Sequence, residues 1–269
     1  MTAKTAFVHP TAIVSAETQL DADVRIGPYT VVEGPVRIGR GTVIGPHCHI
    51  IGPCIIGRNN LIASNVVIGQ RPQDQKYRDE PTAVEIGDDN IIRENVTIHR
   101  GTAQARVTRI GHRNFLMVGC HIAHDCQVGN DCTFANNALL AGHCVVEDQA
   151  YISGNSAVHQ HCRLGRLSLI SGCSAVSKDV PPFIIQQGHN QVRGINVVGM
   201  RRAGFRPEQI DAIRRLYHMV YLQNLSVPTA LVRVEAELGH IDVVREFIRF
   251  VRASKRGICG TRTSLADAA

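Results

Sequence analysis

From Val8 to Val176, every sixth residue is apolar with few exceptions. Of the 29 positions in that phase, 26 carry an aliphatic side chain or Phe, and Asp74, Glu80 and Gln104 are the breaks. A six-residue period matches neither a lone helix nor an alternating strand. It marks a parallel β-helix built from hexapeptides, each hexad giving one short flat strand and one corner. Three hexads make a triangular coil of 18 residues, so the series is worth nearly ten coils. Gly27, Gly39, Gly45, Gly57 and Gly69 each follow a residue of the series and read as its corners.

Two polar stretches interrupt the pattern without shifting its phase. The first, near 69–85, is flanked by Pro72 and Pro81, and the series resumes at Ile86. One coil's worth of chain is expected to bulge outward there while the coil count is kept. Loops on rigid scaffolds are where binding residues gather, and this one offers Gln73, Asp74 and Lys76. The second, near 101–109, reads as a shorter external loop. The repeat stops at Val180-Pro181-Pro182, because consecutive prolines remove ladder donors. Residues 183–204 read as an irregular connector. From Arg206-Pro207 the period turns helical, with Ile210, Ile213, Leu216, Tyr217, Val220 and Tyr221 on one stripe. Further helices are predicted at about 228–238 and 241–254. The chain is therefore expected to be mainly β: a prism over 1–182, a connector over 183–204, and a small helical domain over 205–269 whose tail after Gly260 is polar.

Aromatics are only 4% and Trp is absent, which suits a narrow prism filled by Ile, Val and Leu. The net charge of +6 and pI near 9.0 favour an acidic partner or substrate. Charge alone does not separate nucleic acid, phosphosugar and acidic protein. Arginines such as Arg214, Arg215, Arg245 and Arg252 give the helical segment a basic side, either solvated or a docking surface. No apolar run approaches the roughly 18 residues of a membrane span, and the first residues lack a signal-peptide apolar region. A cytosolic address is expected. Cys48, Cys54, Cys120, Cys126, Cys132, Cys144 and Cys162 all fall four places after a residue of the series, in a slot that also holds Ala12, Thr30, Thr42, Ala138, Ala150, Ser156, Ser168 and Ser174. They read as small buried side chains rather than disulfides or metal ligands, and reduced thiols agree with the cytosol.

A filled prism has no internal pocket, so a site must lie outside, in grooves that three-fold association would form between neighbours. Residues 18 apart stack about 4.8 Å from each other. His124, Gly142 and Gln160 then form one column, and Asp125, His143 and His161 the next, with His121 and His159 alongside. Histidine takes up a proton near neutral pH, an adjacent Asp orients it, and a glycine lets an N–H approach a developing oxyanion. These are the parts needed to deprotonate a hydroxyl and acylate it. Two other readings stay open: zinc held by His121 and His124, as in hexapeptide carbonic anhydrases, and histidines that serve structure alone.

The motifs His121-Ile122-Ala123-His124-Asp125-Cys126, Asn136-Asn137-Ala138-Leu139-Leu140-Ala141-Gly142-His143 and Ala157-Val158-His159-Gln160 closely resemble the UDP-N-acetylglucosamine acyltransferase family. So do Ile98-His99-Arg100-Gly101-Thr102, Gln73-Asp74-Gln75-Lys76-Tyr77, Asp179-Val180-Pro181-Pro182 and Arg201-Arg202-Ala203-Gly204-Phe205. The resemblance implies a left-handed parallel β-helix of about ten coils, a homotrimer, and transfer of a 3-hydroxyacyl chain from acyl carrier protein to the sugar 3-hydroxyl in lipid A synthesis. It implies His124 as general base, Asp125 as its orienting partner and the Gly142 N–H as oxyanion donor. Gln73, Asp74, Lys76, His121, His143, His159 and Gln160 would line the substrate, Asn196 and Arg202 would sit near the nucleotide, and Gly172 would occupy the position that limits acyl length. No cofactor, metal or nucleic acid is implied. Ala203, Val198 and His161 depart from the family pattern, which bears on nucleotide and acyl binding. A 3-amino sugar stays open as the acceptor.

Overall fold

The computed structural model describes residues 5–260. Short strands follow one another around a triangular prism and stack into three parallel sheets of eleven, nine and eight strands, the last strand of the eleven being antiparallel. The hexad series supplies the inward side chains: Ile26, Ile38, Ile50, Ile62, Ile68, Ile92 and Ile98 are all essentially without solvent contact. Each such side chain contributes roughly 1.5–3 kcal/mol by leaving water, so the fold is held by a long, narrow aliphatic filling.

The corners lie elsewhere than the glycines suggest. It is the third residue after most series positions that takes the left-handed conformation, as at Asp23, Asn59, Asn65, Asp89, Asn95, Asp131, Asn137 and Asn155. Asn and Asp tolerate that region better than most residues, which explains their recurrence there. Gly27 has no such conformation. A Cβ on it would stand 2.8 Å from the carbonyl carbon of Gly45 in the next coil, so glycine is needed there for close stacking of coils, not for turning.

From Thr30 onward the small-residue slot is buried, and its thiols carry out a polar task. Thr30 Oγ1 donates to Gly45 O at 2.7 Å, and Cys48 Sγ donates to Ala63 O at 2.9 Å in the same way. All nine cysteines are free, and all but Cys173 are buried. Cys54, Cys132, Cys162 and Cys259 have thiols that burial pushes up to about 12, so they stay protonated and unreactive.

Both excursions preserve the phase, but the first is shorter than a coil. Ile62 pairs with Ile92, a step of 30 residues where 18 is the rule, so twelve residues are extra. Ile98 pairs with Ile122, a step of 24, so the second adds six. Whole hexads are inserted, which keeps every later side chain on its own face. The first loop braces itself: Arg71 pairs with Asp79 at 2.6 Å, and the Tyr77 hydroxyl donates to Glu80 O at 3.0 Å.

Residues 183–204, expected to be irregular, are ordered. Strand Ile184–Gln187 adds in parallel to Leu169–Ile170, and Gln191–Ile195 folds back antiparallel over it, covering the open end of that sheet. Helix α1 (Val197–Arg202) follows, then α2 (Pro207–Tyr217) continuing into a π turn (His218–Leu222), α3 (Val227–Leu238) and α4 (Asp242–Arg252). The apolar stripe read from the sequence is buried through Ile210, Ile213 and Leu216. Ser226 caps α3 by accepting from Thr229 N at 3.3 Å. Helix α4 is fastened to the prism: Arg166 donates two hydrogen bonds, at 2.8 and 2.7 Å, to Glu246. Residues expected after Gly260 lie outside the described part of the chain.

Candidate active site

His124 follows a strand by two residues and Asp125 by three, so both stand at a corner, and Asp125 has the left-handed conformation, φ 61°. That turn presents the imidazole outward while keeping the carboxylate against the coil. His124 Nδ1 meets Asp125 Oδ2 at 2.8 Å, with side-chain exposures of 11% and 0%. The carboxylate also accepts from Thr102 N at 2.8 Å and Thr102 Oγ1 at 2.7 Å. Burial pushes the Asp125 carboxyl up, but the hydrogen bonds from His124 and Thr102 outweigh it, and the group lies below the ordinary aspartate range. An ionised Asp125 requires a proton on His124 Nδ1, which leaves Nε2 free to accept one.

The stacked columns form as the 18-residue coil predicts. His143 N donates to His124 O, and His161 N to Gly142 O, both at 3.0 Å. The rings of His143 and His161 stack at 4.5 Å, and His143 lies edge-on to His124 at 5.1 Å. His143 Nε2 stands 3.5 Å from Asp125 Oδ2. Burial holds His143 below the ordinary imidazole value, Asp125 works against this, and His161 and His124 add to it. Burial likewise lowers His121, whose Nδ1 shares a 2.7 Å hydrogen bond with Thr97 Oγ1.

Two cavities meet at His124. One is a groove of about 550 Å³ running up the prism from His121 and His124 past Leu139, Gly142, Ala157, His159 and Ala175 to Ser177 and His189, largely apolar. The other, about 580 Å³, is polar and is enclosed by Asp74, Gln75 and Lys76 of the first loop, Gln104 of the second, and His143 and His161. Gln73, His124 and Gln160 line both. Gly172, Asn196 and Arg202 line neither. Gly172 is exposed, and a Cβ there would meet only Gly154 O, at 3.6 Å. Asn196 is occupied as the cap of α1: its Oδ1 accepts from Gly199 N and its Nδ2 donates to Leu167 O, both at 2.9 Å.

Sequence reasoning missed Thr102, Gln104, His99 and His189. Three belong to the second excursion or its edge, which read as a surface loop; the fourth belongs to the supposed connector. Loops carry no period, so only the motif around Thr102 pointed there. As for metal, donor atoms of His124, Asp125 and His143 do lie within 4.8 Å of one another. Both Asp125 oxygens are already hydrogen-bonded, however, so a zinc ion would have to displace Thr102 or His124 from them.

A parallel solenoid bearing a His–Asp pair where an apolar groove meets a polar cavity defines a hexapeptide-repeat acyltransferase. The stretches 17–50, 35–70 and 108–142 match the bacterial transferase hexapeptide family, and 179–259 match domain 2 of Udp N-acetylglucosamine O-acyltransferase. The acyl-[acyl-carrier-protein]–UDP-N-acetylglucosamine O-acyltransferase of Aliivibrio fischeri strain MJ11 is 50% identical over 257 residues, 95% of this chain and 98% of that protein. Solved structures agree: the UDP-N-acetylglucosamine acyltransferase of Francisella novicida superposes with a TM-score of 0.93 at 34% identity, over 98% of this chain and 96% of that one. LpxA from Acinetobacter baumannii gives 0.91 at 38% identity, over 94% and 99%. The chain belongs to the UDP-N-acetylglucosamine O-acyltransferase family.

Proposed function

We propose that this chain transfers a 3-hydroxyacyl group from acyl carrier protein to the 3-hydroxyl of UDP-N-acetylglucosamine, the first step of lipid A biosynthesis, by general-base catalysis. The observation that carries this reading is the position of His124 at the junction of an apolar groove and a polar cavity. A fatty thioester laid in the first and a sugar held in the second would meet at Nε2. His124 takes the hydroxyl proton as the sugar oxygen attacks the thioester carbon, and Asp125 stabilises the resulting imidazolium. The negative oxygen is held by the Gly142 N–H. Collapse breaks the carbon–sulfur bond, and the leaving thiolate takes the proton from His124.

Lys76 and the histidines of the polar cavity suit a sugar diphosphate, Lys76 as a point charge on phosphate. Asn196 and Arg202 would reach the nucleotide only from a neighbouring copy, and Gly172 would limit the acyl chain only there. A homotrimer is the assembly we assign. Its support is apolar surface on two outer faces: Leu61 is 50% exposed, Leu139 46% and Ile91 41%. Arg256, close to His159 beside the groove, and the exposed Arg249 and Lys255 give an acidic carrier protein a basic approach. No helix among the described residues is long and apolar enough to cross a membrane, and we place the reaction in the cytoplasm with its carrier protein.

The test is incubation with 3-hydroxyacyl carrier proteins of several chain lengths and with 3-hydroxy and 3-amino UDP-sugars, read by mass spectrometry. An ester on UDP-N-acetylglucosamine, absent with His124→Ala, is expected. Amide product alone would transfer the assignment to the amino sugar. Stoichiometric zinc with carbon dioxide hydration would replace it by a carbonic anhydrase.

A further inference from the structure

The second excursion does not merely decorate the prism. Its six extra residues bring Thr102 over the corner of the next coil, where its N–H and Oγ–H both donate to Asp125, one to each carboxylate oxygen. The loop is closed on itself: Arg106 N donates to Thr102 O at 2.7 Å, and a Cβ on Gly101 would stand 2.6 Å from the carbonyl carbon of Arg106. From the other side, Asp125 N donates to Thr108 Oγ1 at 2.8 Å. The carboxylate is thus gripped by a residue that touches neither cavity, while Gln104, two places on, lines the polar one.

We propose that Thr102 is a positioning residue for the acyl transfer, fixing the Asp125 carboxylate so that Oδ2 accepts from His124 Nδ1 and Nε2 faces the substrate. This rests on the reading of His124 as the base. Oδ2 receives two donors, Thr102 Oγ–H and His124 Nδ1–H, and Oδ1 receives the Thr102 amide. Rotation of the carboxylate therefore breaks bonds to both residues together, which locks the imidazole tautomer and its tilt. A hydroxyl is required at 102, and its methyl group is not.

The experiment compares Thr102→Val, which keeps the shape and removes the donor, with Thr102→Ser, which keeps the donor. Both are tested in the full-length protein with 3-hydroxyacyl carrier protein and UDP-N-acetylglucosamine. Thr102→Val should lower kcat about 10- to 100-fold with KM for the sugar nucleotide within about threefold, and should move the acid limb of the kcat–pH profile; Thr102→Ser should stay within about threefold of the parent. On an Asp125→Asn background, Thr102→Val should have little further effect, since its route through the carboxylate is gone. A Thr102→Val enzyme with the parent's kcat and pH profile overturns the proposal. So does an equal penalty on both backgrounds, or a Thr102→Ser variant as impaired as the valine. His124→Ala, assayed alongside, separates the two readings: if it stays active, the assignment of the base has failed, whatever Thr102 does.

Discussion

Gly142 faces the ring of His124 so closely that a Cβ on it would lie 2.5 Å from Cε1 and 2.7 Å from Nε2. A glycine in this column lets its N–H reach a developing oxyanion. The geometry adds that any side chain would occupy the space of the base itself. Gly142 has an ordinary backbone conformation, so the clash made by Gly142→Ala falls first on the imidazole. The variant should keep its fold and melting temperature within a few degrees while kcat falls about 100-fold, the scale of a 1 Å misplacement. Steady-state kinetics beside circular dichroism checks this, and a Gly142→Ala enzyme within a few-fold of parent would show that the ring has room to move.

Lys76 stands on the first loop, exposed, with its backbone N–H anchored to Asp74 Oδ1 at 2.9 Å. It is therefore placed by the loop and not by its own side chain. Lys76→Ala should remove one charge-assisted bond to phosphate, about 1.5–3 kcal/mol, raising the Kd for UDP-N-acetylglucosamine roughly 10- to 100-fold. Calorimetric titration with UDP-N-acetylglucosamine reads it. Unchanged affinity would move the phosphates elsewhere.

The inner wall and the histidine columns were legible because both follow from the coil length. Once 18 residues close a coil, Ile152 must point inward and Gly142 must stack on His124. The corner itself was misread, since Gly27 looks like a turn and Asp125 does not; only the backbone reveals that the third place carries the left-handed residue. Thr102 and His189 were left without a role for a different reason. They belong to segments without a period, and what they touch depends on how a loop folds back across coils.

Arg166 ties two parts of the chain together. Besides its paired bonds to Glu246 on α4, its guanidinium lies 5.2 Å from the ring centre of Phe183 and 5.1 Å from that of Phe205. The pair is partly shielded, with side-chain exposures of 27% and 24%, so breaking it leaves a charge poorly solvated. Arg166→Met should cost about 2 kcal/mol, and Arg166→Lys should recover little, because an ammonium offers neither the fork nor the flat face. Urea unfolding monitored by helical signal tests this; a fully rescuing lysine would reduce the interaction to simple charge pairing.

His99 makes the prism acid-sensitive. Its ring is buried edge-on to His121 at 4.7 Å, and burial first, then His121 and His124, lowers it from 6.5 to about 4. Above pH 6.5 the residue is neutral in both folded and unfolded chains, and its contribution is fully present. As pH falls from 6.5 towards 4, the unfolded chain binds a proton that the folded chain refuses, so stability drops through that window, by at most about 3 kcal/mol. The depressed His121 and His143 act in the same direction, and Asp125 adds its share only when it is protonated at lower pH still. The thermal midpoint at fixed protein concentration should therefore decline between pH 6.5 and 4.5, and His99→Phe, which removes the titrating group, should flatten part of that decline. A parent midpoint that holds steady over this range, or a phenylalanine variant with the same slope, would mean that the ring accepts its proton without opening the coil.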